Sequence, residues 1–246
     1  DAGLTGLDWI LENASDVAFR ALAYLPLDLA RYDVEGDWRL GMLHSVAISA
    51  DELTGTFGAG VSTRDDSLLA AAWEVRTQAL AQRLELASTT LGHARFNAEL
   101  SGNATQGLGR WAMSGDGFEG FSLSSARASA AGALTIDLAG AGRADSNGQI
   151  ALRDAHLDAQ ARRAMASALP EMGGTPIGPT FAQARAALDR AASRFDLNAP
   201  LSLHLEPSSA RAVFNRPIAL HSATGVHITL APLRVDTPAL TMEWPG

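Results

Sequence analysis

The residues that could do chemistry are few and poorly gathered. Six histidines, His44, His93, His156, His204, His221 and His227, are scattered along the chain, with no HExxH and no i, i+4 pair on a helical stretch. His221 and His227 fall on neighbouring strand segments, the one arrangement here that could offer a metal two imidazoles. Cysteine is absent, which removes thiolate zinc sites, disulfides and thiol nucleophiles together. There is no GxSxG elbow, and Gly140-Ala141-Gly142 lacks the third glycine and following helix of a dinucleotide loop, so it reads as a strand end. Asp28, Asp33, Asp37 and the Asp65-Asp66 pair supply carboxylates, but acid–base catalysis needs two of them in one pocket and nothing in their spacing gathers them. They read as solvated charged faces. Asp116 and Asp145 sit in glycine-rich stretches where Asp is expected for turn geometry alone. Asn13-Ala14-Ser15 and Asn103-Ala104-Thr105 match the glycosylation sequon, a pattern short enough to arise by chance. The expectation is a protein that is not an enzyme, with no catalytic residues, no metal and no cofactor.

The elements that would position any site are mostly strands. From Leu27 to about Ala159 apolar residues recur with period two, the mark of strands with one buried and one wetter face. Leu134, Ile136 and Leu138 alternate with Thr135, Asp137 and Ala139; the same beat runs through Trp73, Val75 and Thr77, Leu84 and Leu86, Phe96, Ala98 and Leu100, and Phe121 and Leu123. Ser101-Gly102-Asn103, Ser114-Gly115-Asp116-Gly117 and Asp145-Ser146-Asn147-Gly148 read as hairpin corners between consecutive antiparallel strands. The phase slips once, from Ile150 and Leu152 to Ala155 and Leu157, which a bulge at Arg153-Asp154 would absorb.

The period then changes. Ala161, Met165 and Leu169 predict a helix stopped by Pro170. A second helix is expected from Pro179 or Thr180, with Phe181, Ala184, Leu188, Ala191 and Phe195 on one stripe opposite Arg185, Asp189, Arg190 and Arg194. Strands resume at Leu201, Leu203 and Leu205, at Val226, Ile228 and Leu230, and at Leu233 and Val235. The organisation expected is therefore an unassigned segment 1–26, with a short helix or coil over Trp9 to Tyr24, an antiparallel meander 27–158, a helical hairpin 159–195, and returning strands 196–246 of the same domain.

Composition narrows the partners. The chain has 246 residues, 47% of them apolar and 19% charged, which is globular material long enough for a sizeable core. Its formal charge of −8 repels a phosphate backbone, so nucleic acid is not an expected partner. No apolar run approaches the roughly 20 residues of a spanning helix. The chain opens at Asp1 without a charged-then-apolar leader, and the expectation is a piece of a longer protein.

What retains functional potential is the apolar strand face, with Trp73, Val75, Leu84, Leu86, Phe96, Leu100, Leu134, Ile136, Leu138, Leu201, Leu203, Val226, Ile228 and Leu230 as its candidate lining residues. Alternating strands ordinarily seal such a face against a second sheet, giving a structural or adhesive sandwich or solenoid with no ligand. The other reading is one curved sheet, a half-pipe or taco-like groove, whose apolar face stays open to lipid chains. Two sixteen-carbon tails left in water forgo roughly 25 kcal/mol at about 0.8 per methylene, more than a small pocket offsets and within reach of a continuous trough.

Leu169-Pro170 with Gly174-Thr175-Pro176-Ile177-Gly178-Pro179, an Ala/Arg-rich helix closing on Arg194-Phe195-Asp196, and a strand holding Leu201 and Leu203 resemble part of the YdbH family of AsmA-like bacterial envelope proteins. Tyr32-Asp33-Val34-Glu35-Gly36, leading through Val46 and Ile48, is similar to that family's recurring strand opening. The similarity is clearest over about 130–235. It implies a periplasmic protein anchored at the inner membrane by a helix outside this chain, moving phospholipid between inner and outer membranes in outer-membrane biogenesis, with phospholipid and an outer-membrane or periplasmic protein as partners. The family offers no catalytic residues to carry over, and its working surface is the apolar face.

Overall fold

The computed structural model describes residues 14–24, 31–44, 48–63, 71–86, 89–139, 143–167, 174–206, 209–214, 219–222, 227–229, 234–236 and 241–243. The fold is mainly β, as the period-two pattern predicts. A short β1 (Ala14–Ser15) and β2 (Ala18–Tyr24) both pair with β3 (Arg31–His44). The meander continues through β4 (Ile48–Ser62), β5 (Ala72–Leu86), β6 (Thr89–Gly102), β7 (Gln106–Gly120), β8 (Leu123–Asp137) and β9 (Arg143–Leu157), each antiparallel to the one before. Two helices, α1 (Ala159–Ser167) and α2 (Gly178–Ser193), precede β10 (Phe195–Glu206), which returns antiparallel to β9. One edge of β10 is then shared by β11 (Ser209–Phe214) and β12 (Ala219–Ser222); β13 (His227–Thr229), β14 (Arg234–Asp236) and β15 (Thr241–Glu243) finish the sheet, with a single parallel pair between β11 and β15.

The result is one curved, unclosed sheet. Among the described residues all strands belong to this one sheet and touch chiefly their ladder neighbours, the helices lie against β9 and β12, and no second sheet is present to cover either face. No described helix is long and apolar enough to cross a membrane.

Several expectations are corrected. Residues 18–24 form a strand, not helix or coil, because Phe19, Ala21 and Ala23 alternate in phase with the apolar face of β3, against which they pair. Ser114–Gly117 and Asp145–Gly148 are not corners but lie inside β7 and β9. In β9 the turn-forming side chains find cross-strand partners instead: Asp145 with His204, Ser146 with Trp111, and Asn147 with Ser202. The β7–β8 corner is Phe121-Ser122, both with positive φ (54° and 61°), a two-residue turn made without the usual Asn-Gly. The Asn103 corner does form. Its Oδ1 accepts from the Thr105 and Gln106 amides and the Thr105 hydroxyl, which gives the sequon Asn a backbone role.

The helical hairpin forms where the period change places it. Asp158 caps α1 by accepting from the Ala161 amide at 2.7 Å, and its own amide donates to the Ser122 carbonyl of the β7–β8 corner. On α2, Ala191 and Ala192 are buried and Leu188 half-buried, but Ala184 is exposed and Arg185 half-buried, so the stripe is rotated from the one expected. Phe195 is not helical: Arg194 is already extended and Phe195 opens β10. Asn13, Asp28, Val46, Asp65-Asp66, Gly140-Ala141-Gly142, Leu169-Pro170, Val226, Leu230 and Leu233 lie outside the described residues.

Candidate functional site

Cross-strand register assigns every side chain of the sheet to a face. On one face, each level holds a row of residues paired strand to strand; Val34, Ala59, Val75, Leu100, Gly109, Leu134, Ser146 and Leu203 form one such row. From β3 to β10 no Asp, Glu, Arg or His occupies this face, which is made of Leu, Ile, Val, Ala, Gly, Phe, Trp and Met with a few hydroxyls. Several of the polar groups it does carry are bonded within the sheet. Trp73 Nε1 donates to the Asn103 carbonyl at 2.7 Å, Trp111 Nε1 to Ser146 Oγ at 2.6 Å, and Ser125 Oγ to two backbone carbonyls at 2.7 Å.

The opposite face carries the charge. Arg31 bridges Asp33 (2.8 Å) and Glu74 (2.6 Å), Arg110 pairs with Glu99 (2.6 Å), Arg153 with Asp196 (3.0 Å) and Arg194 with Asp154 (2.6 Å). A depression of about 710 Å³ opens on this polar face around Arg20, Tyr24, Arg31, Asp33, Asp37 and Glu74. Two of its carboxylates, Asp33 and Glu74, are committed to Arg31, and Glu35 and Asp37 line it beside them.

Of the residues the sequence nominates, Trp73, Val75, Phe96, Leu100, Leu134, Ile136, Leu201 and Leu203 share the apolar face, and Leu84 and Leu86 join it at the other end of β5. Leu138 lies one residue beyond β8, in the turn, exposed. Ile228 is on β13, opposite Leu220, and Val226 and Leu230 are outside the described residues. His221 and His227 are register partners in the β12–β13 ladder, and among the described residues no group of three or more His, Asp or Glu could hold a metal. The pattern alone did not single out Tyr32, Val34, Trp38, Phe57, Trp111 and Met113, which the register brings to the same face; their glycine neighbours hid the alternation.

One feature crosses the whole sheet. Each strand from β3 to β9 turns two consecutive residues to the polar face at one level: Gly41-Met42, Asp51-Glu52, Gln82-Arg83, Gly92-His93, Asp116-Gly117, Ala126-Arg127 and Arg153-Asp154. The extra residue is left-handed at Glu52 (φ 49°), His93 (44°), Gly117 (61°) and Asp154 (51°), and Asp16 (50°) begins the row opposite Gly41. The bulge expected at Arg153-Asp154 is thus one of a continuous seam. Because every strand gains its extra residue at the same level, the ladders resume in register beyond it. Bulges bend strands, so a row of them bends the sheet along a line. The main apolar cluster gathers from both sides of that line, Leu43, Ala50, Leu91, Ala155 and Phe195 on one and Ala81, Ala94, Ala128, Leu152 and Leu197 on the other, which places the bend toward the apolar face.

The seam therefore divides that face. The short arm, two or three residues deep, is packed, with Leu84, Phe118, Leu123 and Leu157 half-buried against the cluster; the long arm, running from Leu40, Ala81 and Leu152 out to Tyr32, Trp73 and Ile136, is buried at Ala98, Ser146, Ala199 and Leu201 and half-covered elsewhere, with Val61, Phe96 and Leu205 exposed. No family model, curated protein or solved structure matches the chain.

Proposed function

We propose that the long arm is an acyl-chain trough, and that this chain is a segment of a periplasmic lipid-transfer protein shielding phospholipid tails between inner and outer membranes. The observation that carries the reading is the uncharged long-arm face with no second layer over it among the described residues, back to back with a face holding the ion pairs. A sheet that needed only to be inert would lose stability by leaving such a face to water; one that holds hydrocarbon must leave it open. The resemblance to the YdbH family supports the same reading, with an inner-membrane anchor supplied outside this chain and a protein partner at the far membrane. Binding of this kind needs no metal, cofactor or catalytic group, only burial of methylenes.

Ile136 provides the test. It sits half-buried on the outermost level of the long arm, between Gly107 and Ala144. The Ile136→Asp variant is expected to keep its circular dichroism and thermal midpoint within about 1 kcal/mol while phospholipid in organic extracts, identified by mass spectrometry, drops to background. In the competing reading of a sealed structural or adhesive domain the same change buries an unpaired charge and unfolds the protein. Unfolding, or wild-type protein that takes up no phospholipid from vesicles, would reject the trough.

A further inference from the structure

This inference rests on the acyl-chain reading and names the part of the apolar face that meets the chain. On the long arm the largest side chains lie against glycines of the next strand instead of standing clear of the sheet. The Trp38 indole occupies the space beside Gly55 that a Cβ would need, and Phe57 does the same at Gly36 while stacking on Phe19 at 5.2 Å. Trp73 reaches over two strands, 2.6 Å and 2.8 Å from where Cβ atoms would sit on Gly102 and Gly107. Trp111, directly across from Gly132, reaches past β8 to Ser146 on β9. Glycine inside a strand marks a close approach by something else, and at Gly36, Gly55, Gly102 and Gly107 the rings of Phe57, Trp38 and Trp73 supply it.

Two consequences follow for a ligand. The hydrogen-bonded indoles of Trp73 and Trp111 have their N–H groups turned into the sheet, so the rings present carbon and no donor. A ring laid on a glycine also rises less from the sheet than an upright leucine, which keeps the surface level. The short arm is built differently, with Leu43, Leu91 and Phe195 in the buried cluster and Phe118 packed against it. We infer that Trp38, Trp73 and Trp111 form a paved floor on which the hydrocarbon chain of a lipid lies, and that the glycines beside them set its depth. The occupant is hydrocarbon because the floor carries no charge and the indole N–H groups of Trp73 and Trp111 are already bonded within the sheet. A second copy of the chain or a peptide segment would bring backbone groups that this face cannot pair.

The probe is a phosphatidylcholine vesicle whose acyl chains are brominated near mid-chain, against the same lipid unbrominated, added to the whole chain. Bromine quenches indole emission on contact, so wild-type fluorescence should fall only with the brominated lipid. The Trp38→Phe/Trp73→Phe/Trp111→Phe variant, which keeps Trp9 and Trp244, should capture lipid and show no quenching. Gly107→Leu, which lifts the Trp73 ring, should lower capture about tenfold, the equivalent of about two methylenes left unburied. Gly107→Ala is the milder form if the leucine variant does not fold.

Lipid captured with no quenching in wild type, or with equal quenching in the triple variant, overturns the floor and leaves the trough standing. No capture by wild type overturns the trough itself. A dimer by light scattering whose indoles are already shielded without lipid overturns the hydrocarbon occupant in favour of a second copy.

Discussion

The two sides of the bulge seam use the same strands and the same alternation for opposite ends. On the short side and at the seam itself, side chains are sealed: Ala50, Ala155 and Phe195 keep 3% or less of their surface. At the far edge of the long side, Val61 and Leu205 keep nearly two fifths of theirs although they point the same way. Composition does not separate them, since both are Leu, Ala and aromatic. Geometry does: a row of bends lets residues on both sides of the line pack on one another, whereas residues at the outer edge lie away from that line. Burial in a single-layer sheet is therefore obtained largely by folding the sheet; beyond the fold it persists at Ser146, Ala199 and Leu201, where β9 and β10 meet, and gives way to exposure at the outer edge.

The comparison breaks most readily at the core. Phe195 stands 3% exposed where β10 leaves α2, in register between Ala155 on β9 and Ser222 on β12. Phe195→Ala is expected to cost about 3–5 kcal/mol in urea denaturation, and Leu91→Asp to prevent folding, because each opens or charges a closed site. A charge on the long arm at Ile136 should leave the fold intact, as argued above. Equal destabilisation by Leu91→Asp and Ile136→Asp would show that the two arms are not distinct.

Most of the sheet was legible in the sequence, since one buried and one wet face impose a period of two wherever the strand is straight. The seam was legible only in β9, where the slip runs from Ile150 and Leu152 to Ala155 and Leu157. In β6 and β8 the same slip has an alanine on one side, Ala94 against Leu91 and Ala128 against Ser125, and small residues do not announce which face they take. Turn chemistry misled for a related reason. Gly115 reads as a corner, but a Cβ there would stand 2.6 Å from Leu91 on the neighbouring strand, so the glycine answers to packing and not to chain reversal. Conversely Phe121-Ser122 reads as strand because a turn with two positive φ values seldom uses those residues. The site was legible as a list of apolar positions and not as a floor, because ring orientation over glycine depends on which strands are neighbours.

The seam itself gives a subtler test. His93 is exposed, left-handed at φ 44°, and sits where β6 takes its extra residue opposite Asp116. A β-branched side chain disfavours that conformation, so His93→Val should be about 1–2 kcal/mol less stable than His93→Gly by chemical denaturation. If the bulge sets the bend, the valine variant should also lose protection from hydrogen exchange at Leu91 and Ala94 while Leu134 and Ile136 keep theirs. Uniform loss along the strands would mean that the seam is an ornament of the ladder and not its fold line.

The smallest effect separates the arms by pH. Asp158 is held below the usual carboxylate range, chiefly by the Ala161 amide and then by the Ser122 hydroxyl; Asp196 is held there by the Asp154 amide, with Arg153 and Arg194 adding to it. Both acids tie the helical hairpin and the start of β10 to the short-arm end of the sheet. A carboxylate whose folded value is lowered adds stability above its unfolded value, about 3.9 for Asp, and loses that contribution as pH falls through the folded value. Thermal midpoints should therefore decline below about pH 4, and the gap between wild type and Asp196→Asn, present at pH 7, should close as acid is added. Both groups are solvent-exposed, so the gap is small. Hydrogen exchange at pH 3.5 should register it first at Ala155 and Leu157, with the long-arm amides of β7 and β8 unchanged, because the bonds that both acids make lie at the short-arm end of the sheet. Acid that loosened the long arm first would reverse the assignment of which side of the seam is sealed by packing and which stands on its ladders alone.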